Sequence, residues 1–320
     1  MENLFGKLTN VISSYSNVIL MGHTHPDLDA FGSCLGMSVI LNSMKMDNYI
    51  FIDRNNPEHD STIKQSIPLV PNFNYIDETN YKKIIDDNSL LIILDTHLQE
   101  RLEYPKILDE IKNVIVIDHH IKRPTYIKDT ELFYIDSTLS SVVELVVNYA
   151  KYLEVDIPPI VSTIMLTGME IDTNGFNIKI TEKAFEAAAL LVGYGADSVL
   201  KLNLLKETKK DFLRKADFIK SSYIFKKKYA ICLLPLSISS QSELAEISDS
   251  LLGLEDIEAS FTIGQLDSKT VGISARSLGN VDVCEIMQQL GGGGHMTIAA
   301  CQVENTTMKA LEKKLKSYLD

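Results

Sequence analysis

Residues 17 to 33 read N-V-I-L-M-G-H-T-H-P-D-L-D-A-F-G-S, and this stretch decides the fold. An apolar run stops at Gly22, a polar loop with two histidines and two aspartates follows, and helical spacing takes over from Ala30 to Ser43. The same punctuation recurs. Further short apolar runs are YIFID (49 to 53), SLLIILD (89 to 95) and NVIVID (113 to 118), with helical segments Ser141 to Tyr152 and Pro158 to Met169. Apolar runs alternating with amphipathic stretches predict an α/β fold, a doubly wound and mostly parallel sheet.

At 320 residues the chain exceeds one ordinary core, and two domains are expected. We read residues 1–195 as the first domain. A charged helical connector is expected over 196–222, where Lys206, Lys209, Lys210, Arg214 and Lys215 interleave with Glu207, Asp211 and Asp217 as on a solvated face. Residues 223–320 then form a smaller α+β domain with strands YAICLLPL, IEASFTIGQL and TVGISAR, helix VDVCEIMQQL, a glycine run and a terminal helix.

Hydrophobic residues make up 45% and charged residues 23%, the balance of a globular chain. A net charge of -12 argues against coating long nucleic acid, since that affinity comes from Lys and Arg displacing counterions. An anionic substrate then needs local positive charge, which bound cations would supply. Cys34, Cys232, Cys284 and Cys301 form no CxxC pair, so a reducing, cytoplasmic setting is expected, with Cys34 a packed small residue. No apolar run reaches membrane-spanning length and no leader is recognised.

Six of the seven histidines lie in short motifs that also hold Asp, Gly or another His. The clusters are GHTHPDLDAFGS (22 to 33), LDTH (94 to 97), IDHH (117 to 120), EIDTNGF (170 to 176) and GGGGH (291 to 295). Three of them end an apolar strand, and in an open parallel sheet such ends converge on one crevice. His23, Asp27, Asp29, Asp95, His119 and Asp172 would give four carboxylates and two imidazoles, a set suited to Mn²⁺ or Mg²⁺. So many carboxylates without cations would repel one another. Two ions about 3.5 to 4 Å apart can bridge and deprotonate a water and hold both oxygens of an in-line displacement at phosphorus. Asp95 is the candidate bridge.

Each motif has a plainer use. Asp27 after Pro26 suits a helix start, Asp95 a turn, and Asp172-Thr-Asn-Gly a cap. Adjacent rings at His119 and His120 are harder to explain as packing. His25 and His97 are expected to support ligands by hydrogen bonding, and His59 to sit in a surface loop.

The ordered set HxxPDxDAxGS, DTH, DHH and DTN, followed by VGISARSLG (271 to 279) and GGGGH, resembles the DHH phosphoesterase family with its DHH-associated C-terminal domain. Leu28 in PDLDA and Asn174 in DTN are similar to the GdpP-type branch of cyclic di-AMP phosphodiesterases; the nanoRNase and pAp-phosphatase branch tends to read PDGDA and DTG. GdpP-type proteins usually carry membrane helices, a sensory domain and a degenerate cyclase-like domain ahead of this part, and none is found here.

The resemblance implies a two-metal phosphodiesterase with two Mn²⁺ per chain, Mg²⁺ being the alternative. It implies His23, Asp27 and Asp95 at one ion and Asp29, Asp95, His119 and Asp172 at the other. Catalytic roles fall to Asp95 and His120, the latter touching a phosphate oxygen or protonating the leaving alkoxide. Substrate contacts are expected from Arg276, whose guanidinium forks suit phosphate, from Ser277, from Gly292, Gly293 and Gly294, and from His295 at the start of a helix. The substrate would be cyclic di-AMP, opened to pApA, or else a short linear RNA or 3′-phosphoadenosine 5′-phosphate. Inorganic pyrophosphate and a non-enzymatic nucleotide sensor rank lower. A homodimer is implied by the family alone.

Overall fold

The computed structural model describes residues 1–178 and 180–319. They divide into two compact units, Met1–Lys206 and Glu207–Asp320. The first is built on β1 (Asn17–Met21), β2 (Asp47–Phe51), β3 (Tyr75–Ile76), β4 (Ser89–Leu94), β5 (Asn113–Asp118) and β6 (Leu132–Ile135). Their order is β3-β2-β1-β4-β5-β6 and every pairing is parallel. Strands β1 and β4 are buried along their whole length, which is why they read as unbroken apolar runs. Order reverses between β1 and β4, and that switch point opens the crevice where the motif loops meet.

The two sheet faces are covered unequally. On one, helices Glu2–Ile12, Leu28–Ser43, Val142–Tyr152, Pro159–Asp172 and Glu182–Gly193 share a single core with Leu20, Leu90 and Ile92. On the other, Ile19, Met21, Leu91 and Ile93 meet only the short helix Ile107–Glu110 and neighbouring turns around Tyr81 and Tyr104. Helix Leu28–Ser43 is the central one, with 13 of 16 residues buried. It begins at Leu28 rather than the expected Ala30, because the Asp27 carboxylate caps it by accepting N–H bonds from Asp29 and Ala30 at 2.9 and 3.0 Å.

The polar connector expected as one helix is two. Helix Ser198–Leu204, capped by Asp197, belongs to the first unit, and helix Lys209–Ser221, capped by Thr208, belongs to the second. The two caps restart the chain and divide what the charge pattern reads as continuous.

In the second unit, β7 (Tyr223–Phe225), β8 (Tyr229–Ile238), β9 (Ala259–Gln265), β10 (Thr270–Ser277), β11 (Gly293–Gly294) and β12 (Ile298–Glu304) form a mixed sheet in the order β11-β12-β10-β9-β8-β7. Helix Gln241–Leu252 packs through Leu244 and Ile247 on one face, and Val283–Gln289 and Met308–Lys316 cover the other through Met287, Leu311 and Leu315. Among the described residues no helix is long and apolar enough to cross a membrane.

Candidate metal centre

The loop after β1 is fixed before it reaches the crevice. Thr24 N–H donates to the Arg101 carbonyl at 2.7 Å, and the His23 Nδ1 bonds the Thr24 carbonyl at 2.9 Å. Because a ring nitrogen facing a carbonyl must carry a proton, Nε2 is the nitrogen left to bind a metal ion, and it faces Asp27 at 3.8 Å and Asp95 at 3.4 Å.

Asp95 follows β4 with φ of 67°, a left-handed conformation that Asp tolerates better than most residues. The turn aims its carboxylate along the switch point. Oδ2 faces His23, while Oδ1 faces His119 Nε2 at 3.2 Å and His120 Nδ1 at 3.5 Å. His119 Nε2 also faces Asp172 at 3.2 Å and Asp29 at 3.7 Å. The six residues read from the sequence as ligands therefore come together as two triads, His23/Asp27/Asp95 and Asp29/His119/Asp172, and a third possible ligand group, Asp95/His119/His120, overlaps both through Asp95 and His119.

Two helices set the far side. Asp29 is fully buried in the first turn of its helix, and its two oxygens accept the N–H groups of Val142 and Val143, both at 2.8 Å. Those are the first two residues of the helix capped by Ser141, so Asp29 satisfies donors that helix could not. Asp172 is brought in by a close helix crossing. A β-carbon on Gly168 would lie 2.4 Å from the Leu28 carbonyl oxygen, so only glycine lets the two backbones approach. Asp172 stands one turn later on the same face.

Several observations fit cations here. Asp95 Oδ1 and both ring nitrogens of His119 are buried without a hydrogen-bond partner, although buried polar atoms are nearly always paired. The imidazole-to-carboxylate separations of 3.2 to 3.8 Å are long for hydrogen bonds. They suit neighbouring ligands of one ion, which at about 2.1 Å from each would stand about 3 Å apart.

The electrostatics agree. Burial, with the charges of Asp95 and Asp172, pushes the Asp29 carboxyl well above the usual range. Burial likewise raises Asp172 to about 6, with Asp27 and Asp95 adding to the rise against the pull of His119. Burial works to lower the histidines, but Asp27 and Asp95 outweigh it and raise His23 to about 11, while Asp172, Asp95 and Asp29 raise His119. Burial works upward on Asp95 too, and there His119 and His23 prevail and hold it down.

His120 projects from the same strand end with its side chain about half exposed. Its backbone N–H and its Nδ1 both bond Asp118 Oδ1, at 3.0 and 2.8 Å, leaving Nε2 directed away from that carboxylate. The other Asp118 oxygen bonds buried His97, whose Nε2 accepts the Arg123 N–H at 3.0 Å. His97 thus supports the site as expected, through Asp118, a positioning residue that the sequence reading left unassigned although it stands inside IDHH.

Other expectations need correction. His25 is exposed, with φ of 51°, and faces only Glu58 at 3.9 Å, so it supports no member of either triad. His59 is not a surface residue: it is buried, with Nε2 bonded to the Asp53 carbonyl at 2.7 Å. Cys34 is packed in the core.

In the second unit Arg276 is already engaged. Its Nε donates to Asp249 at 2.8 Å and Nη1 to Ser274 Oγ at 3.0 Å. Ser277 is buried and its hydroxyl donates to the Val281 carbonyl at 2.7 Å, which holds the β10 exit. Gly292 and Gly294 have a packing reason, since β-carbons there would lie 2.2 and 2.4 Å from the carbonyl oxygens of Ala300 and Ile298. Gly293 has open space. His295 does not open a helix; it lies in the turn joining β11 to β12, where its N–H donates to the Ile298 carbonyl at 2.6 Å.

Two family models match this architecture in tandem, the DHH family N-terminal domain over residues 17–169 and the DHHA1 domain over residues 227–320, so the chain carries a DHH domain followed by a DHHA1 domain. It is 34% identical over 98% of its length to the cyclic-di-AMP phosphodiesterase GdpP of Bacillus subtilis, of which it spans 49%. It is 27% identical over 90% of its length to the bifunctional oligoribonuclease and PAP phosphatase NrnA of the same organism, of which it spans 90%. The chain thus spans about half the length of the GdpP relative. A crystal structure of an exopolyphosphatase-related protein from Bacteroides fragilis shares the fold, with a TM-score of 0.80, 19% identity, and coverage of 99% of this chain and 97% of that one.

Proposed function

We propose that this chain is a two-metal phosphodiesterase that opens cyclic di-AMP to linear pApA. The observation that carries the reading is the position of Asp95, whose two oxygens face the two triads separately. His23, Asp27 and Asp95 would hold one divalent ion and Asp29, Asp95, His119 and Asp172 the other, Mn²⁺ by the mix of oxygen and imidazole donors. Such ions supply positive charge to a phosphate ester and acidify a water.

The chain's own groups do the rest. His120, entering the step as the imidazolium with its Nδ1–H on Asp118, gives the Nε2 proton to the departing ribose oxygen and ends as the neutral ring, and Asp118, anchored by His97, holds it in place. In the second unit Arg276, steadied by Asp249, is the cation for the distal phosphate, and Gly293 with His295 borders the base.

The higher identity to GdpP favours the cyclic substrate, while the span of 90% of NrnA favours a short linear oligonucleotide. The deciding measurement is hydrolysis of cyclic di-AMP, cyclic di-GMP, pApA and 3′-phosphoadenosine 5′-phosphate side by side, with and without Mn²⁺. Fast Mn²⁺-dependent opening of cyclic di-AMP is expected. Preference for the linear compounds would replace this reading with the nanoRNase one.

We further place the chain in the cytoplasm as a homodimer. Its four free cysteines suit a reducing compartment. Sedimentation showing only monomer at micromolar concentration would remove the dimer.

A further inference from the structure

The first unit carries a second pocket, on the outer edge of its sheet. A cavity of about 400 Å³ opens beside β2 and β3, lined by Tyr49, Phe73, Tyr75, Arg54, Lys83 and Asn80 among others. None of the six candidate metal ligands borders it. Strand β3 is the edge strand of the sheet, three places from β4, which is followed by Asp95.

Its charge runs against its surroundings. Residues 1–206 hold 17 Lys and Arg against 28 Asp and Glu, yet the lining has two cations and no carboxylate. Neither Arg54 nor Lys83 has an ion-pair partner among the described residues, and both are exposed. Arg54 lies over the Tyr75 ring, 5.1 Å from its centre, and the Tyr75 hydroxyl is tied to the Val70 carbonyl at 2.8 Å. A guanidinium stacked in this way keeps its N–H edge for an anion.

The rest of the lining suits a flat, hydrogen-bonding body. Phe73 and Tyr49 are half-buried and add ring surface. Asn80 uses its carbonyl oxygen on the Asp77 N–H and keeps its NH₂ group. Asn74 uses its NH₂ on the Asn48 carbonyl and keeps its oxygen. One amide donor, one amide acceptor, aromatic faces and two unpaired cations in a ligand-sized cavity match a planar base joined to a phosphate.

We infer that this edge cavity is a second nucleotide site, taking a nucleoside phosphate outside the catalytic crevice, with Arg54 and Lys83 on the phosphate and Phe73, Tyr49 and the Asn74 and Asn80 amides around the base. It would let a nucleotide reach the same domain without occupying the metal centre.

The test is calorimetric titration of the full chain carrying Asp95→Asn, with adenosine 5′-monophosphate as the probe. Expected is saturable binding with a component, distinct from any binding at Arg276, that weakens about tenfold when Arg54→Ala or Lys83→Ala is added and persists in Arg276→Ala, since each edge cation makes a charge-assisted hydrogen bond. Ribose 5-phosphate, which lacks the base, should also bind about tenfold more weakly. No saturable binding at millimolar nucleotide, affinity unchanged in Arg54→Ala, or ribose 5-phosphate binding as well as the nucleotide would each overturn the site. The readout is binding to a chain with a crippled metal centre, so the fate of the phosphodiesterase reading does not affect it.

Discussion

Asp95 Oδ1 and His119 Nε2 face each other across 3.2 Å as two buried polar atoms, neither with a hydrogen-bond partner. Leaving such atoms unmatched costs about 1–3 kcal/mol each. A shared cation removes the cost for both.

Replacing Asp95 by Asn keeps the shape and removes the charge. Loss of a supporting group around a metal costs about 10–100-fold, so loss of the bridging carboxylate should cost more than about 100-fold in turnover. Asn tolerates the left-handed backbone at this position, so circular dichroism should be unchanged. Mn²⁺-dependent hydrolysis close to that of the unaltered chain would remove Asp95 from the centre.

His120→Ala should lower kcat about 10² to 10⁴-fold while both ions still bind, because its Nδ1 lies 2.8 Å from Asp118 and farther, 3.5 Å, from Asp95. His97→Ala should give a smaller loss, about 10-fold, by freeing Asp118 to turn. Kinetics paired with metal analysis of the purified variants separate the two. A drop in bound metal for His120→Ala would make it a ligand instead.

Gly168→Ala should destabilise the first unit by about 2 kcal/mol, because the helix crossing must open to admit a methyl group. That corresponds to a fall in Tm of roughly 4–8 °C. Mn²⁺ affinity should fall with it, since Asp172 rides on the same helix. Thermal melts with and without Mn²⁺ measure both effects.

The response to pH follows from the shifted groups. Asp172 is raised to about 6 in the folded chain, so its contribution to metal-free stability is complete below its ordinary value and is lost as pH rises through 6. Asp29 has the same sign. His23, raised to about 11, contributes fully below its ordinary value and loses that contribution as pH rises toward 11. Asp95 is held low and adds no slope between pH 4 and 8. Metal-free stability should therefore decline from pH 5 to 8. Ions need deprotonated ligands, so the rise in Tm on adding Mn²⁺ should grow over the same range. A rise independent of pH in differential scanning fluorimetry would contradict this account.

How much of this was legible in the sequence follows from what each residue answers to. The inner strands β1, β4 and β5 are buried on both faces and announce themselves as apolar runs. The edge strands β3 and β6 are short and half-buried, and leave no such mark. Five of the six residues that meet at the crevice stood in strand-end motifs, because a parallel sheet collects its strand ends at one side, while Asp172 stood at the end of a helix. Gly168 was silent, since a glycine in an apolar helix says nothing of the backbone it will meet. His59 misled for a similar reason: Pro57 and Glu58 beside it signal a loop, and nothing local tells that the ring turns inward to the Asp53 carbonyl. The packing partners of Ser277 and Gly292, Val281 and Ala300, were equally silent, because no motif links them in the sequence.

One carboxylate serves two structures at once. Asp29 closes the N-terminus of helix Val142–Tyr152 while standing among the crevice groups, whereas among the described residues no backbone N–H donates to the Asp95 carboxylate. Anyone wishing to capture the protein with an uncut substrate for crystallography should therefore leave Asp29 alone and alter Asp95. The first change would slacken the scaffold that shapes the crevice, and the second would silence the chemistry within an unchanged frame.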